Sequence, residues 1–384
     1  MARETSFTLR VPPFLVLCLS YALTFAGAGA LQQFVVPIAR QRGWEEMKSY
    51  LPLIIIYFSF AFFRFLSGLY VKKLGLKTSL LLGSFTYTLF PLAFLLNLPY
   101  PILLLIMFIW GWGAAVYWTA GTVALLFLSR DKRYGSYSGF LYTSLNIGFA
   151  IGVALLGLIH SKLGENKMFA ISFSLSLFGT SLLLLLPELE AEMEIHPPSL
   201  LVKLAFGEKS RLPGFYLFVS ALTLGIMFGS FGEWISSLYG ISYMTTITFI
   251  GYAGRIFLSY PGGWIADKFG ERFALMLSLL LSVLGLGTAL LFPSFFTYSF
   301  CALMLGSQMS IVPITATSLI GRRFPPQIYH LASGAILAWN SLGVAIALLL
   351  SAILQNILQN LPSVLFFFTI IFSICTLISL KKED

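Results

Sequence analysis

Two arginines interrupt otherwise apolar stretches of this chain: Arg64, between Phe63 and Phe65, and Arg255, between Gly254 and Ile256. A guanidinium stays ionised, and its planar fork matches a nitrate or a carboxylate through two parallel hydrogen bonds. Burying one at the centre of a bilayer costs on the order of 3 kcal/mol or more, so each is expected to face a wet cavity or a partner. Two blander alternatives exist: Arg64 could reach toward the headgroups past Val71, and Arg255 could sit in a structural pair. Acids are nearly missing from the same stretches. Glu233, beside Trp234, is the candidate for proton binding, for pairing with Arg255, or for a place at the membrane interface. Gln32, Gln33, Asn146 and Asn340 complete the polar candidates. Each of these could touch a solute or tie two helices together through a hydrogen bond worth about 0.6 kcal/mol. With two cations and at most one acid, a shared cavity would be electropositive and suited to an anion.

Nothing else in the chain carries catalytic chemistry. Cys18, Cys301 and Cys375 fall in three separate apolar runs with no C-x-x-C spacing, so neither a metal site nor a disulfide is implied. No G-x-x-x-x-G-K-[ST] segment binds a nucleotide phosphate. The expectation is therefore a protein that is not an enzyme, with no catalytic residues, metal or cofactor.

The elements that position these residues must be membrane helices. Of 384 residues, 58% are hydrophobic and 10% charged, against roughly 25% charged in an ordinary soluble domain. Apolar runs of about twenty residues recur, each long enough to cross the hydrocarbon core as a helix. Short segments of alternating polarity, the mark of a membrane barrel, are absent. The Trp and Tyr residues are expected mainly in the interfacial belts or in packing. Breaks at charged clusters and at Pro or Gly predict twelve helices: 13–39, 48–71, 78–97, 101–128, 136–160, 167–187, 213–238, 243–266, 273–292, 295–320, 330–354 and 362–380. The hydrophilic stretch 188–212, with Glu188, Glu190, Glu192 and Glu194, separates a first unit, 1–187, from a second, 213–384.

The net charge of +9 reflects basic residues that flank helices, and nucleic acid is not an expected partner. Seventeen Lys and Arg residues fall in the termini and the segments on their side, and five on the other. That asymmetry predicts both termini and the linker in the cytoplasm. The two units also align without a gap at an offset of 195. Gly68, Lys73 and Gly75 match Gly263, Lys268 and Gly270, and Tyr134, Ser138, Gly139 and Gly148 match Tyr329, Ser333, Gly334 and Gly343. The result is an all-α membrane protein: twelve transmembrane helices in two pseudo-symmetric six-helix bundles with a site between them.

After the eighth predicted helix, Gly263, Asp267, Lys268, Gly270 and Arg272 stand in the pattern G-x-x-x-D-K-x-G-x-R. This resembles the loop signature of the major facilitator superfamily. The first-unit copy, Gly68, Lys72, Lys73, Gly75 and Lys77, keeps the spacing with Lys in place of Asp. The resemblance covers essentially the whole chain and implies a secondary transporter working by alternating access. Gly68, Lys73, Gly75, Gly263, Asp267, Lys268, Gly270 and Arg272 would form its conformational latch. Asp267 would sit against the start of the fifth helix near Gly135 or pair with Arg322 and Arg323, whereas Lys72 would lose that contact in the first unit.

The antiporter marks of the superfamily are damaged: Met107 and Trp110 replace an Arg and a Gln, and Val153 stands where a Pro is usual. Arg64 followed by Gly68, and Asn146 followed by Gly148, are similar to the nitrate/nitrite porters, although their eighth-helix arginine would fall at Ser259. Monocarboxylate and oxalate carriers also use an eighth-helix arginine. These resemblances imply a small anion as substrate, nitrate/nitrite or a short carboxylate, with Arg64, Arg255, Asn146, Asn340, Gln32 and Gln33 around it. Glu233 would be a coupling site for a proton where a proton or counter-substrate is used. The protein is expected to act as a monomer in the lipid bilayer of the cell membrane. Two rivals stand beside this reading: a carrier of neutral or lipophilic solutes, including drugs, with the arginines structural, and a non-transporting sensor or scaffold.

Overall fold

The computed structural model describes residues 12–129, 133–189, 193–194, 197–358 and 361–380, and all of its regular structure there is helical. The first six long helices are α1 (Pro13–Gln41), α2 (Glu46–Leu74), α3 (Leu76–Leu95), α4 (Tyr100–Leu128), α5 (Tyr134–Leu163) and α6 (Glu165–Leu185). The second six are α7 (Glu208–Phe228, resuming at Ser230–Tyr239), α8 (Ile241–Phe269), α9 (Glu271–Leu291), α10 (Phe295–Arg323), α11 (Tyr329–Leu358) and α12 (Leu361–Leu380). Among the described residues, ten helices are long and apolar enough to cross a membrane. In α8 the Arg255 guanidinium and its Gly, Ser, Thr and Tyr neighbours lower the hydropathy. In α12 the apolar stretch is the shorter Pro362–Ile378.

Two helices depart from regular geometry where the chain is small. Phe25–Gly29 winds as a π-helical turn within α1, where Gly27 lies against α6 and the Ala28 amide donates to Ser176 Oγ at 2.8 Å. Gly229, with φ −106° and ψ −110°, divides α7. The predicted boundaries differ most at the linker. A short helix, Pro198–Phe206, occupies part of it, and α7 begins at Glu208 rather than 213. Pro198 suits a first helical position because its missing N–H would have had no partner there. Leu201, Leu204 and Ala205 are buried, and the Ala205 carbonyl accepts the Trp339 indole N–H at 3.0 Å. Averaged over the linker, this one-turn apolar stripe is masked by its charged neighbours.

The internal repeat is visible in the backbone. Gly75 and Gly270, 195 residues apart, hold φ of +79° and +89° in the α2–α3 and α8–α9 turns, a conformation open to glycine at no steric cost. The halves meet through two equivalent helix pairs, α2 with α11 and α5 with α8. At one end Gly68 faces the His330 carbonyl and Gly334 the Arg64 carbonyl, while Gly263 faces Gly135 and Gly139 faces Ser259. Tyr329 donates to Tyr134 at 3.2 Å, a contact between two repeat-related residues. At the opposite end Arg40 of α1 pairs with Glu233 of α7 at 3.0 Å, and Gly157 packs on Thr245. Among the described residues, the halves thus touch at both ends.

Candidate functional site

Between the two ends, α1–α5, α7, α8, α10 and α11 line a cavity with about 90 Å³ of room for water centres. A single water needs roughly 10–15 Å³ of such space, so several waters or a small solute fit. Each helix contributes one face. Tyr57, Phe60 and Arg64 come from α2, Trp110, Ala114 and Trp118 from α4, and Tyr142, Leu145 and Phe149 from α5. Spacings of three and four residues bring each trio onto one stripe. From the second half come Ser220 and Phe228 on α7, Arg255 on α8, Met309 and Pro313 on α10, and Asn340 on α11.

Both arginines face this cavity. Arg64 is 4% exposed, so it does not reach the headgroups. Its guanidinium carbon lies 5.0 Å from the Phe60 ring and 5.8 Å from Trp118, and Nη1 donates to Ser341 Oγ of α11 at 3.5 Å. Arg255 lies 5.1 Å from the Tyr252 ring and 5.5 Å from Phe149. Its backbone is anchored by Ser259 and Ser310, whose hydroxyls both donate to the Arg255 carbonyl, at 2.6 and 2.8 Å. Among the described residues neither guanidinium forms an ion pair, and no Asp or Glu lines the cavity. Arg64 Nε and Arg255 Nε and Nη1 are buried without a hydrogen-bond partner. Ring faces offset part of the desolvation, a desolvated cation–π contact being worth about 2 kcal/mol. They leave the N–H groups of Arg64 Nε and of Arg255 Nε and Nη1 unanswered.

The remaining candidates divide. Gln32 lines the cavity, accepting from the Tyr57 hydroxyl at 2.7 Å, and half-buried Asn340 lines it too. Gln33 instead donates to the Tyr252 hydroxyl at 3.1 Å, behind the Arg255 face. Asn146 donates to Ser259 at 3.2 Å, bridging α5 to α8, with its Oδ1 buried and unpartnered. Glu233 is not the partner of Arg255. It accepts from Arg40 Nε at 3.0 Å and from the Tyr50 hydroxyl at 2.7 Å, and Arg40 also reaches Glu46 at 3.4 Å.

Sequence reasoning missed the aromatic lining. Trp110, Trp118, Tyr57, Tyr87 and Tyr142 form cavity wall, not interfacial belt. The stripe Tyr57–Phe60–Arg64 carried the signal, because residues on one stripe with a buried cation share its cavity. Of the latch residues, Gly68 and Gly263 pack against the opposite half, and Gly75 and Gly270 shape turns. Lys73 and Arg272 are exposed, and exposed Lys268 stacks 4.7 Å from the Trp264 ring. The Asp267 side chain lies outside the described residues.

A family model described as Major Facilitator Superfamily matches residues 17–254 and 214–383. No curated protein matches the sequence. Among solved structures, the fucose:proton symporter FucP of E. coli, in an engineered variant, is similar with a TM-score of 0.69 at 16% identity, covering 96% of this chain and 98% of that one. FucP in an outward conformation gives 0.69 at 17% identity over the same shares. A variant of the nucleoside transporter NupG gives 0.72 at 14% identity, over 96% and 100%. At these identities the likeness is one of fold.

Proposed function

The chain belongs to the major facilitator superfamily, and on that premise we propose that it carries a small anion across the membrane by alternating access. Arg64 and Arg255 bind the charge, with Gln32 and Asn340 at the cavity wall and Asn146 and Gln33 supporting it from behind. Secondary active transport follows from the family. The anion rests on one observation: two guanidinium groups, one from each half, face a common cavity with no neutralising carboxylate among the described residues. An anion would answer the open N–H groups and offset the cost of two buried cations. A short carboxylate or nitrate/nitrite fits this chemistry. A sugar or nucleoside, as named for the structural neighbours, is the rival.

Replacing Arg64 or Arg255 with Lys keeps the charge and loses the planar fork. Arg64→Lys and Arg255→Lys are each expected to weaken anion binding at least ~10-fold, given the several kcal/mol typical of a disrupted buried charge contact. Thermal-shift titration of the purified protein with carboxylates, nitrate, sugars and cationic dyes measures this. Stabilisation by sugars or dyes alone, or anion stabilisation indifferent to both variants, would remove the reading.

We place the end bearing Lys72, Lys73, Arg322 and Arg323, with both termini and the linker, in the cytoplasm of a cell whose plasma membrane holds the protein. The support is the Lys and Arg asymmetry, together with Lys77, in the first turn of α3, lying 3.9 Å from Glu188 at the base of the linker. A cysteine placed at Val202 is expected to react with an impermeant maleimide only after the cells are permeabilised. Labelling of intact cells would invert the topology.

A further inference from the structure

Resting on the anion reading above, we propose that the substrate is a carboxylate with a flat apolar body, an arenecarboxylate such as benzoate or cinnamate, rather than an inorganic anion or a hydroxylated acid. The cavity supplies charge and rings and little else. Phe25 joins the two cationic ends: its ring lies 5.3 Å from Trp118, which faces Arg64, and 5.1 Å from Phe149, which faces Arg255. A continuous aromatic wall therefore runs from one guanidinium to the other.

The rings cover the guanidinium faces and leave the edges. Carboxylates bind guanidinium in its plane, through the edge N–H groups. The part of the anion beyond its carboxylate must then lie along the ring wall. A planar apolar body there removes apolar surface from water and gains offset or edge-to-face ring contact. Nitrate or acetate would satisfy the charge and leave most of the wall wet. A polyhydroxylated solute needs many matched donors and acceptors. Outside the arginines, the ring hydroxyls and the indole N–H groups, of which that of Trp118 is bonded to Tyr87 and that of Trp110 is open, the described lining offers Gln32, Ser220 and Asn340, and Gln32 is already bonded to Tyr57 and to the Gly29 carbonyl.

Isothermal titration of the full chain in detergent with benzoate, acetate, nitrate and benzyl alcohol tests this. Benzoate is expected to bind at least ~10-fold more tightly than acetate or nitrate, from the apolar area a ring buries. Benzyl alcohol, of similar shape without the charge, should bind more weakly than benzoate by a comparable factor. Phe25→Leu and Phe149→Leu, each checked for a cooperative melt, should lose more affinity for benzoate than for acetate. If benzoate binds no more tightly than acetate while Arg64→Lys still weakens both, the aromatic body is wrong and the anion reading stands. If benzyl alcohol equals benzoate, or no anion binds, both fall together.

Discussion

Glu233 closes one end of the molecule from α7 by accepting from Arg40 of α1 and Tyr50 of α2. Both contacts cross between halves, so they exist only while that end is shut. Hydrogen bonds to a charged group contribute about 1.5–3 kcal/mol, and Arg40, with 37% of its side chain exposed, puts its own bond at the low end. Glu233→Gln keeps the shape and removes the charge. It is expected to raise the open fraction at this end roughly fivefold, from about 1 kcal/mol of lost closure. The measure is the labelling rate of Ser220→Cys, on the cavity wall, by an impermeant thiol reagent added from the Glu233 side; an unchanged rate would leave the pair without a gating role. Residue types exposed the charges in the sequence but not the directions in which side chains point. Gln32 and Gln33 are adjacent, yet one residue of helix turns the side chain by about 100°, so one meets the cavity and the other Tyr252. Asn146 is displaced in the same way from the stripe Tyr142–Leu145–Phe149 and ends in the α5–α8 seam. Phase of this kind is set by the neighbouring helices, so it is not encoded locally.

At the scale of helices, repeat-related glycines do unequal work. A Cβ on Gly68 would lie 2.6 Å from the His330 carbonyl oxygen, whereas one on Gly263 would meet nothing closer than the Ile314 methyl at 3.4 Å. The first is a clash with backbone, and the second is ordinary contact. Gly68→Ala must therefore push α2 from α11, at a cost of about 1–3 kcal/mol by analogy with overpacked cores. Gly263→Ala should stay within about 0.5 kcal/mol, as substitutions that meet no such constraint do. Melting temperatures in one detergent compare them, and equal shifts would show that the α2–α11 seam is as yielding as the α5–α8 seam. The pairing of these glycines at an offset of 195 was legible in the sequence, as were the helices themselves, since a run of twenty apolar residues has few other uses. The difference in closeness was not. It arises from the residue opposite, His330 in one seam and Gly135 in the other, and no pattern within α2 or α8 contains it. The linker helix Pro198–Phe206 escaped for a related reason: its apolar stripe acquires meaning only against Trp339.

For the whole molecule, contact between the halves at both ends is one station of a cycle, and a carrier must open the ends alternately to pass a solute. The α5–α8 pair makes this testable because it spans both ends. Near one end Gly139 faces the Tyr260 backbone, with 3.7 Å from its added Cβ to the Tyr260 Cα. Near the other the added Cβ of Gly157 lies 3.0 Å from the Thr245 Cβ. Disulfides join Cβ atoms about 3.5–4.5 Å apart, so Gly139→Cys with Tyr260→Cys, and Gly157→Cys with Thr245→Cys, should each cross-link after small adjustments. The native Cys18, Cys301 and Cys375 are buried and free, so the background of competing thiols is low. Oxidation of either pair is expected to stop transport into proteoliposomes, and reduction to restore it. The two locks should differ in the face left accessible. With the Gly157–Thr245 pair closed, a cavity cysteine at Ser220 should label only from the Lys72 side; with the Gly139–Tyr260 pair closed, only from the Glu233 side. A helix pair that merely holds the fold together would tolerate both locks, because neither would then restrain a motion. Transport that continues with both disulfides formed would therefore exclude rocking of the two halves about the arginine cavity. Arrest by both, with opposite faces exposed, would assign α5 and α8 to the moving seam.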